Sequence, residues 1–428
     1  MLKAVDVSGT EAPGGTEGRS HMDEKKQGAA APKKKKQTKA GTPADFRYGI
    51  LLRGTKVFLK SRVRYEWEKG SFERPDGPAL YVSNHPSSLD FFGLACSLWP
   101  KRIICIANEY YFRKGILKKM LLGIGVIPKK LFQDEGGVIL KAKRTVKGGF
   151  SLYMAPEARM SIIGETYPII PSAGAFARFL GVPLVILRLR GGYFNKPKWR
   201  PFFIKQTVRV EIREVISAET LKQMTPEAVN ERICRGIRND DFAYAREAGL
   251  IFRHKNKAEG LANLIYRCPV CGKLYALQAE GDSLRCPACG MDLTIGEDYF
   301  FSENPYGYRS IANLYHALEE RERQEDPSLE CEVTVRRFHG EEEHAGSGVT
   351  RLTPAGFSFS GEVDGRPLSF EIAAKHLKAL PFSCGEEFET YYENDLYYFY
   401  PKENRAQCAR WGLLADLRSE ALYSLPEE

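Results

Sequence analysis

An α/β layer built on a largely parallel sheet, followed by a small cysteine-held ribbon and a β-rich C-terminal domain, is the fold class that this 428-residue sequence predicts. Three observations carry the prediction. Between residues 78 and 217 short apolar runs alternate with stretches of helical spacing, the pattern of strands joined by crossover helices. Two CxxC pairs follow, starting at Cys268 and Cys286. Beyond residue 328, segments with strand-like alternation crowd together and end in an amphipathic helical stretch.

The elements follow in order. Residues 1–44, rich in Gly, Ala, Pro and Lys with hardly any large apolar groups, cannot offset their ordering entropy and are expected to be a disordered basic tail. Its Lys33 to Lys36 block reads either as a solubilising segment or as a polybasic contact to anionic lipid or nucleic acid. From Asp45 to about residue 70 the spacing of Phe46, Ile50, Leu51, Val57, Phe58 and Val63 predicts a basic amphipathic helix, with Arg47, Arg53, Lys56, Lys60, Arg62 and Arg64 between them. Such a helix docks on its own domain or lies on a membrane surface.

The runs ALYVS, RIICIA, GVIP, FSLYMA, VPLVILRL and TVRVEIREV are strand candidates, and EYYFRKGILKKMLLG, GGVILKAKRTVKG and PSAGAFARFLG are the helices between them. A further helix, with Thr225 as N-cap and Pro226 at its first position, closes a domain spanning 45–255. The ribbon is placed at 262–300, a connecting helix at 301–327 and the β-rich domain at 328–428. Several antiparallel strands capped by one C-terminal helix form the outline of a pleckstrin-homology-like barrel, a pattern that sandwiches share. The tyrosines 391, 392, 397, 398 and 400 alternate as strand residues do and read as core packing before they read as a ligand platform.

Composition narrows the class less. An excess of 63 Lys+Arg over 54 Asp+Glu, net +9, suits nucleic acid, anionic lipid or a phosphorylated substrate alike. Ten cysteines are too sparse for a disulfide scaffold at this length, which points to a reducing compartment. The N-terminus lacks an apolar signal-peptide core, and Lys101, Arg102, Lys118, Lys119 and Arg178 interrupt the most apolar windows. No spanning helix is expected, and the location predicted is cytoplasmic, peripheral on the membrane if the substrate is lipid.

The stretch SNHPSSLD, Ser83 to Asp90, places a histidine and an aspartate just beyond a buried strand. A continued strand would hold His85 and Asp90 roughly 16 Å apart, and a continuous helix would rotate them by about 140°. If instead the chain turns at Pro86, with Ser87 or Ser88 capping a new helix and Asp90 in its first turn, the carboxylate can meet the ring. That contact fixes the tautomer and raises the basicity of the other nitrogen, as a general base for a hydroxyl requires. The alternative from these eight residues is a capped turn with an incidental histidine.

Together with residues downstream, NHPSSLD resembles the first motif of the glycerolipid acyltransferases, specifically the lysophosphatidic acid (1-acyl-sn-glycerol-3-phosphate) acyltransferase family. GVIPKK, APEARMS and GVPLVIL are similar to that family's second, third and fourth motifs, in its order and within one domain-sized window. The resemblance implies an acyltransferase of phospholipid synthesis in which His85, oriented by Asp90, activates a glycerolipid hydroxyl to attack an acyl thioester of coenzyme A or acyl carrier protein. It implies that Lys129, Lys130 and Arg159 hold the acceptor's phosphate and that Glu157 orients the acceptor. The new helix's amides, with Ser87 or Ser88, become candidate donors to the oxyanion. Two departures stand out: the third motif's glycine is Ala158 with the arginine one place early, and the second motif's arginine position falls on Leu131. Lysine binds phosphate as a point charge without the bidentate fork. A different class of reading is a non-catalytic lipid-binding or scaffolding protein on the same fold.

CPVCG and CPACG present Cys268, Cys271, Cys286 and Cys289 on two knuckles, each followed by the glycine its turn needs. Four thiolates make a closed tetrahedral shell for structural Zn²⁺; a redox role would not call for matched knuckles. Around the ribbon, Lys273, Tyr275 and Arg285 are opposed by Glu280 and Asp282, so nucleic acid is not the expected partner. Cys96, Cys105, Cys234, Cys331, Cys384 and Cys408, and His316, His339, His344 and His376, read as isolated.

Overall fold

The computed structural model describes residues 45–68, 74–112, 115–130, 136–340 and 342–419, without the side chains of 45–47, 116 and 117. The predicted basic tail and its lysine block, and Leu131, lie outside these residues.

The first part of the chain runs α1 (Asp45–Lys60), β1 (Val63–Trp67), β2 (Leu80–Ser83), α2 (Asp90–Leu98), β3 (Ile103–Asn108), α3 (Gly115–Gly123), β4 (Ile127–Lys129), α4 (Gly136–Lys147), β5 (Ser151–Met154), α5 (Ala173–Leu180), β6 (Leu184–Arg190) and β7 (Gln206–Ile216). The strands form one seven-stranded sheet in the order β1-β7-β6-β2-β5-β3-β4. Every neighbouring pair is parallel except β6 with β7. The central strands β2 and β5 are buried at every position, because helices cover both faces and leave no solvated side to alternate toward. β2, β3, β4, β5 and β6 run the same way and end on one edge of the sheet, where open α/β sheets collect their ligands, while β1 and β7 run opposite to them.

Two expectations change. The helix predicted from Asp45 stops at Lys60, and Val63 opens β1, which pairs in parallel with Gln206 to Val210 of β7. Val63, Tyr65 and Trp67 recur at every second position, a strand period that a helical count over the longer stretch absorbs. α1 also buries Tyr48, Leu52 and Leu59, leaving Ile50, Val57 and Phe58 of the anticipated apolar stripe exposed. The helix predicted from Thr225 is two: after α6 (Ala218–Gln223) come α7 (Pro226–Ile237) and α8 (Asp241–Glu247). Thr225 and Pro226 sit as expected, and Asp240 starts the second helix by accepting from the Phe242 and Ala243 amides.

The ribbon contributes β8 (Gln278–Glu280), β9 (Ser283–Arg285) and β10 (Asp292–Thr294), an antiparallel sheet in the order β10-β9-β8. After α9 (Ile311–Glu325) come β11 (Leu329–His339), β12 (Glu342–Thr353), β13 (Gly356–Val363), β14 (Arg366–Ala373), β15 (Phe382–Ser383), β16 (Glu387–Tyr392) and β17 (Asp395–Pro401), then α10 (Gln407–Leu417). These strands make a second seven-stranded sheet, wholly antiparallel, ordered β14-β13-β12-β11-β17-β16-β15. α10 presses Trp411 flat on Phe388 of β16, ring centroids 4.7 Å apart.

One apolar core fills the α/β layer from Tyr48 to Ile237. A second is continuous from Ile162, Phe194 and Phe242 of that layer through Leu284 of the ribbon and Leu314 of α9 to Phe359 and Trp411. The ribbon and β-sheet are therefore packed into the α/β layer rather than strung beside it.

Candidate active site

The site begins where β2 ends. Asn84 leaves the strand with its side-chain amide clamped to β6, donating to the Leu189 carbonyl at 2.8 Å and accepting from the Leu189 amide at 2.7 Å. It replaces a rung of backbone pairing, so the chain can turn at His85 without stranding buried polar groups. Pro86 then packs on Gly192, where a Cβ would fall 2.7 Å from the proline ring.

The turn brings His85 and Asp90 together. Oδ2 of Asp90 lies 3.0 Å from Nδ1 of His85 and accepts the Ser87 amide, also at 3.0 Å, while Oδ1 accepts the Tyr65 hydroxyl at 3.0 Å. The carboxyl is fully buried, and burial raises its pKa against the pull of His85, Ser87 and Tyr65, which favour the charged form. With Nδ1 engaged, Nε2 is the ring nitrogen left to meet a substrate, and the His85 side chain keeps 27% exposure. The helix cap differs from expectation: Leu89 is the N-cap residue without a side-chain bond, and buried Ser87 accepts the Leu89 amide through Oγ at 3.2 Å. Ser88 is exposed.

Tyr65 is the member that the sequence reading missed, because it stands in the stretch assigned to a helix; the alternation of Val63, Tyr65 and Trp67 was the available signal. Its ring occupies the space over Gly93, one turn into α2, where a Cβ would come 2.0 Å from the ring. Without a side chain at 93, helix and tyrosine approach closely enough for the hydroxyl to reach Asp90.

Glu157 follows β5, the strand beside β2. It is fully buried, with Oε1 accepting the His85 amide at 3.1 Å and Oε2 the Tyr167 amide at 3.3 Å. Burial pushes its pKa up to about 8, against the two amides and the nearby Arg159. The Ser161 amide in turn donates to the His85 carbonyl at 2.9 Å, so the loop after β5 and the turn after β2 are sewn together. Ala158 takes φ of +58°, the left-handed conformation that suits glycine, and the turn is kept at a cost of about 1–2 kcal/mol for its methyl group.

Arg159 points into the C-terminal part of the molecule. Its Nη1 meets Oδ2 of Asp416 on α10 at 2.6 Å, and its guanidinium lies 4.1 Å from the Tyr167 ring centroid. Lys129 ends β4, three strands from β2 and so about 14 Å along the sheet edge. Lys130 follows it, and its ammonium donates to the Asn394 carbonyl in the β16–β17 turn at 3.0 Å. The tyrosine cluster reaches the same border: the Tyr391 hydroxyl donates to Glu109 at 3.1 Å, and Tyr398 packs edge-on against Tyr110. His316, read as isolated, bridges Glu165 at 2.9 Å and Glu319 at 3.2 Å, and these hydrogen bonds raise its pKa to about 10.

Away from this site, the sulfurs of Cys268, Cys271, Cys286 and Cys289 lie within 4.8 Å of one another. Cys268 is 3.7 Å from Cys289, and Cys271 is 3.8 Å from Cys286. Sulfurs 2.3 Å from a tetrahedral ion stand about 3.8 Å apart, so the cluster fits a metal ion of zinc's size. Gly272 and Gly290, both at φ of +75°, send their amides back to the Cys268 and Cys286 carbonyls and close the knuckles.

Residues 64–189 match the family model described as acyltransferase. The chain is similar to a chloroplastic 1-acyl-sn-glycerol-3-phosphate acyltransferase of Brassica napus, 30% identical over 125 residues, 27% of this chain and 34% of that protein. The match thus spans about a third of that relative's length. Among solved structures it is similar to the 1-acyl-sn-glycerophosphate acyltransferase of Thermotoga maritima, at 19% identity and a TM-score of 0.37, covering 44% of this chain and 79% of that one.

Proposed function

We infer the reaction from one premise: the chain carries an acyltransferase-family domain, related to the lysophosphatidic acid acyltransferases, together with a four-cysteine cluster. The proposed activity is transfer of a fatty acyl group from an acyl thioester, of coenzyme A or acyl carrier protein, to a hydroxyl of a lysophosphatidic acid-like glycerolipid. The observation that carries it is the 3.0 Å contact of His85 with a buried Asp90 at the strand-end edge of the sheet.

In this reading Nε2 of His85 takes the acceptor's hydroxyl proton as its oxygen attacks the thioester carbonyl. The tetrahedral intermediate collapses with cleavage of the C–S bond, and the imidazolium returns the proton to the departing thiolate. Asp90 holds the ring and stabilises its charged form. Ser88 is the hydroxyl of the turn that stands exposed to donate to the oxyanion, since Ser87 is buried in the turn itself. Glu157 acts by fixing the His85 backbone, and Lys129 and Lys130 are the cations proposed for the headgroup. The cysteine cluster would hold structural Zn²⁺ and takes no part in the chemistry.

No helix among the described residues is long and apolar enough to cross a membrane. Exposed Ile50, Val57 and Phe58 on α1, among Arg53, Lys56 and Lys60, support an enzyme lying on an anionic lipid surface, with the cytoplasm as the proposed compartment. Seven antiparallel strands and a capping helix support the finer reading of the C-terminal sheet as pleckstrin-homology-like.

The test is thiol release from acyl-coenzyme A or acyl carrier protein with lysophosphatidic acid as acceptor. His85→Ala and Asp90→Asn should each lower turnover by at least about 100-fold with the fold intact. Background-level release from the unaltered protein would favour the scaffolding alternative.

A further inference from the structure

The two faces of the first sheet are covered by different helices. From β2 the chain steps through β3 to β4 in one direction along the sheet, with α2 and α3 as crossovers, and then returns through β5 to β6 with α4 and α5. Crossovers between parallel strands are right-handed, so reversing the direction of travel moves the helices to the opposite face. α1 lies with the first group: the Cys96 thiol of α2 donates to the Leu52 carbonyl at 3.8 Å, and Tyr48 stacks on Trp99 at the end of α2, ring centroids 5.9 Å apart. α4 lies with the second, beside α5. What α1 and α4 expose therefore looks out from opposite sides of the layer.

α4 buries Val138, Ala142 and Val146 against the sheet, yet Ile139 is 39% and Leu140 54% exposed, and Phe179 at the end of α5 is 46% exposed. At 3.6 residues per turn Leu140, Arg144 and Lys147 fall within about 60° of one another on the outer face, with Lys141 to one side. Lys143 ties the two helices: its ammonium donates to the Phe179 and Leu180 carbonyls at 2.7 and 2.5 Å and lies 5.3 Å from the Phe179 ring centroid. α4 has no acidic residue, and Lys141, Arg144 and Lys147 stand exposed without an ion pair to any carboxylate among the described residues. An apolar centre with a rim of one sign is the composition of a docking surface, in which the centre leaves water and the rim selects the partner's charge. A nucleic acid would engage the cations and leave Ile139 and Leu140 against phosphates. With the α1 face on lipid, this face looks to the aqueous side.

We propose that α4 and the end of α5 form a docking surface for an acidic amphipathic helix of a soluble protein partner. Its apolar stripe covers Ile139, Leu140 and Phe179, and its carboxylates meet Lys141, Arg144 and Lys147. The choice of a soluble protein over a membrane rests on the lipid-surface reading of α1.

Calorimetry tests binding of a synthetic helical peptide of Glu, Ala and Leu, its leucines spaced at i, i+3 and i+4, to the full chain, beside a scrambled peptide of the same composition. The ordered peptide should bind at least about tenfold tighter than the scrambled one, the order of effect expected from burying one further leucine. Leu140→Ser and Phe179→Ser should each weaken it by about tenfold. Arg144→Glu with Lys147→Glu should weaken it to a similar extent and flatten its dependence on salt. In sedimentation with vesicles of phosphatidylcholine and phosphatidylserine, Leu140→Ser and Phe179→Ser should pellet as the unaltered protein does, whereas Val57→Ser with Phe58→Ser should lose pelleting and keep the peptide. Peptide affinity unchanged within twofold in the α4 variants, or equal binding of the scrambled peptide, overturns the proposal. Loss of pelleting in Leu140→Ser and Phe179→Ser makes this face the lipid contact and overturns it as well. Should Val57→Ser with Phe58→Ser pellet undiminished, the lipid-surface reading of α1 fails, and the peptide measurements decide the inference alone.

Discussion

Asp90 is held at both oxygens, and the hold on Oδ1 comes from a strand at the far edge of the sheet. Tyr65 donates there while Ser87 and His85 share Oδ2, so the carboxylate cannot rotate away from the imidazole. Tyr65→Phe should therefore act through the dyad: kcat falls roughly 10- to 100-fold with KM unchanged, in keeping with the roughly 1.5–3 kcal/mol carried by a hydrogen bond to a charged group. The sign of the pH effect follows. The tyrosine proton offsets part of the Asp90 charge; without it the imidazolium is better stabilised, and the acidic limb of the kcat/KM profile moves upward in pH. Gly93→Ala should produce the same limb shift and cost about 1–3 kcal/mol of stability by driving a methyl into the Tyr65 ring. A limb that stays in place in Tyr65→Phe, with only stability altered, would reduce Tyr65 to packing.

What the sequence made legible depends on the element. β2 and β5 are short apolar runs buried on both faces, and the ribbon is written in cysteine spacing; both signals are local. β1 was hidden because five residues of strand period follow sixteen of helix without a breaker, and Tyr65 was hidden with it. His85 and Asp90 could be named from the residues, but Asp416 could not, since its partner lies 257 positions away and nothing in α10 marks one aspartate for an arginine. At this scale the ribbon makes a prediction. Leu284, Cys286 and Met291 are buried in the core that also holds Leu314 and Leu318 of α9, so the knuckles anchor that helix. Purified protein should hold about one zinc per chain by elemental analysis, and Cys286→Ser should lose it. Chelation should lower the thermal midpoint by several degrees and expose α9 amides to hydrogen exchange. Full retention of the midpoint after the metal is stripped would make the cluster dispensable for folding.

Across the whole molecule, the continuous core ties the loop after β5 to the C-terminal sheet. Ile162 and Ile163 follow the third motif, Phe194 and Phe242 lie behind it, and Trp411 closes the far end against Phe357 and Phe388. Polar ties repeat the connection, from Arg159 to Asp416 and from His316 to Glu165. Packing this continuous implies that the C-terminal sheet and the α/β layer unfold as one unit, because melting either would leave the other's inner face in water. Trp411→Ala tests this at a residue with no role in the chemistry: the cavity should cost about 3–5 kcal/mol. Hydrogen exchange should then accelerate together in α10, in the β16–β17 pair and in the Ser161 amide bonded to the His85 carbonyl. If α10 and its sheet loosened while the Ser161 amide kept its protection, the domains would be energetically separate.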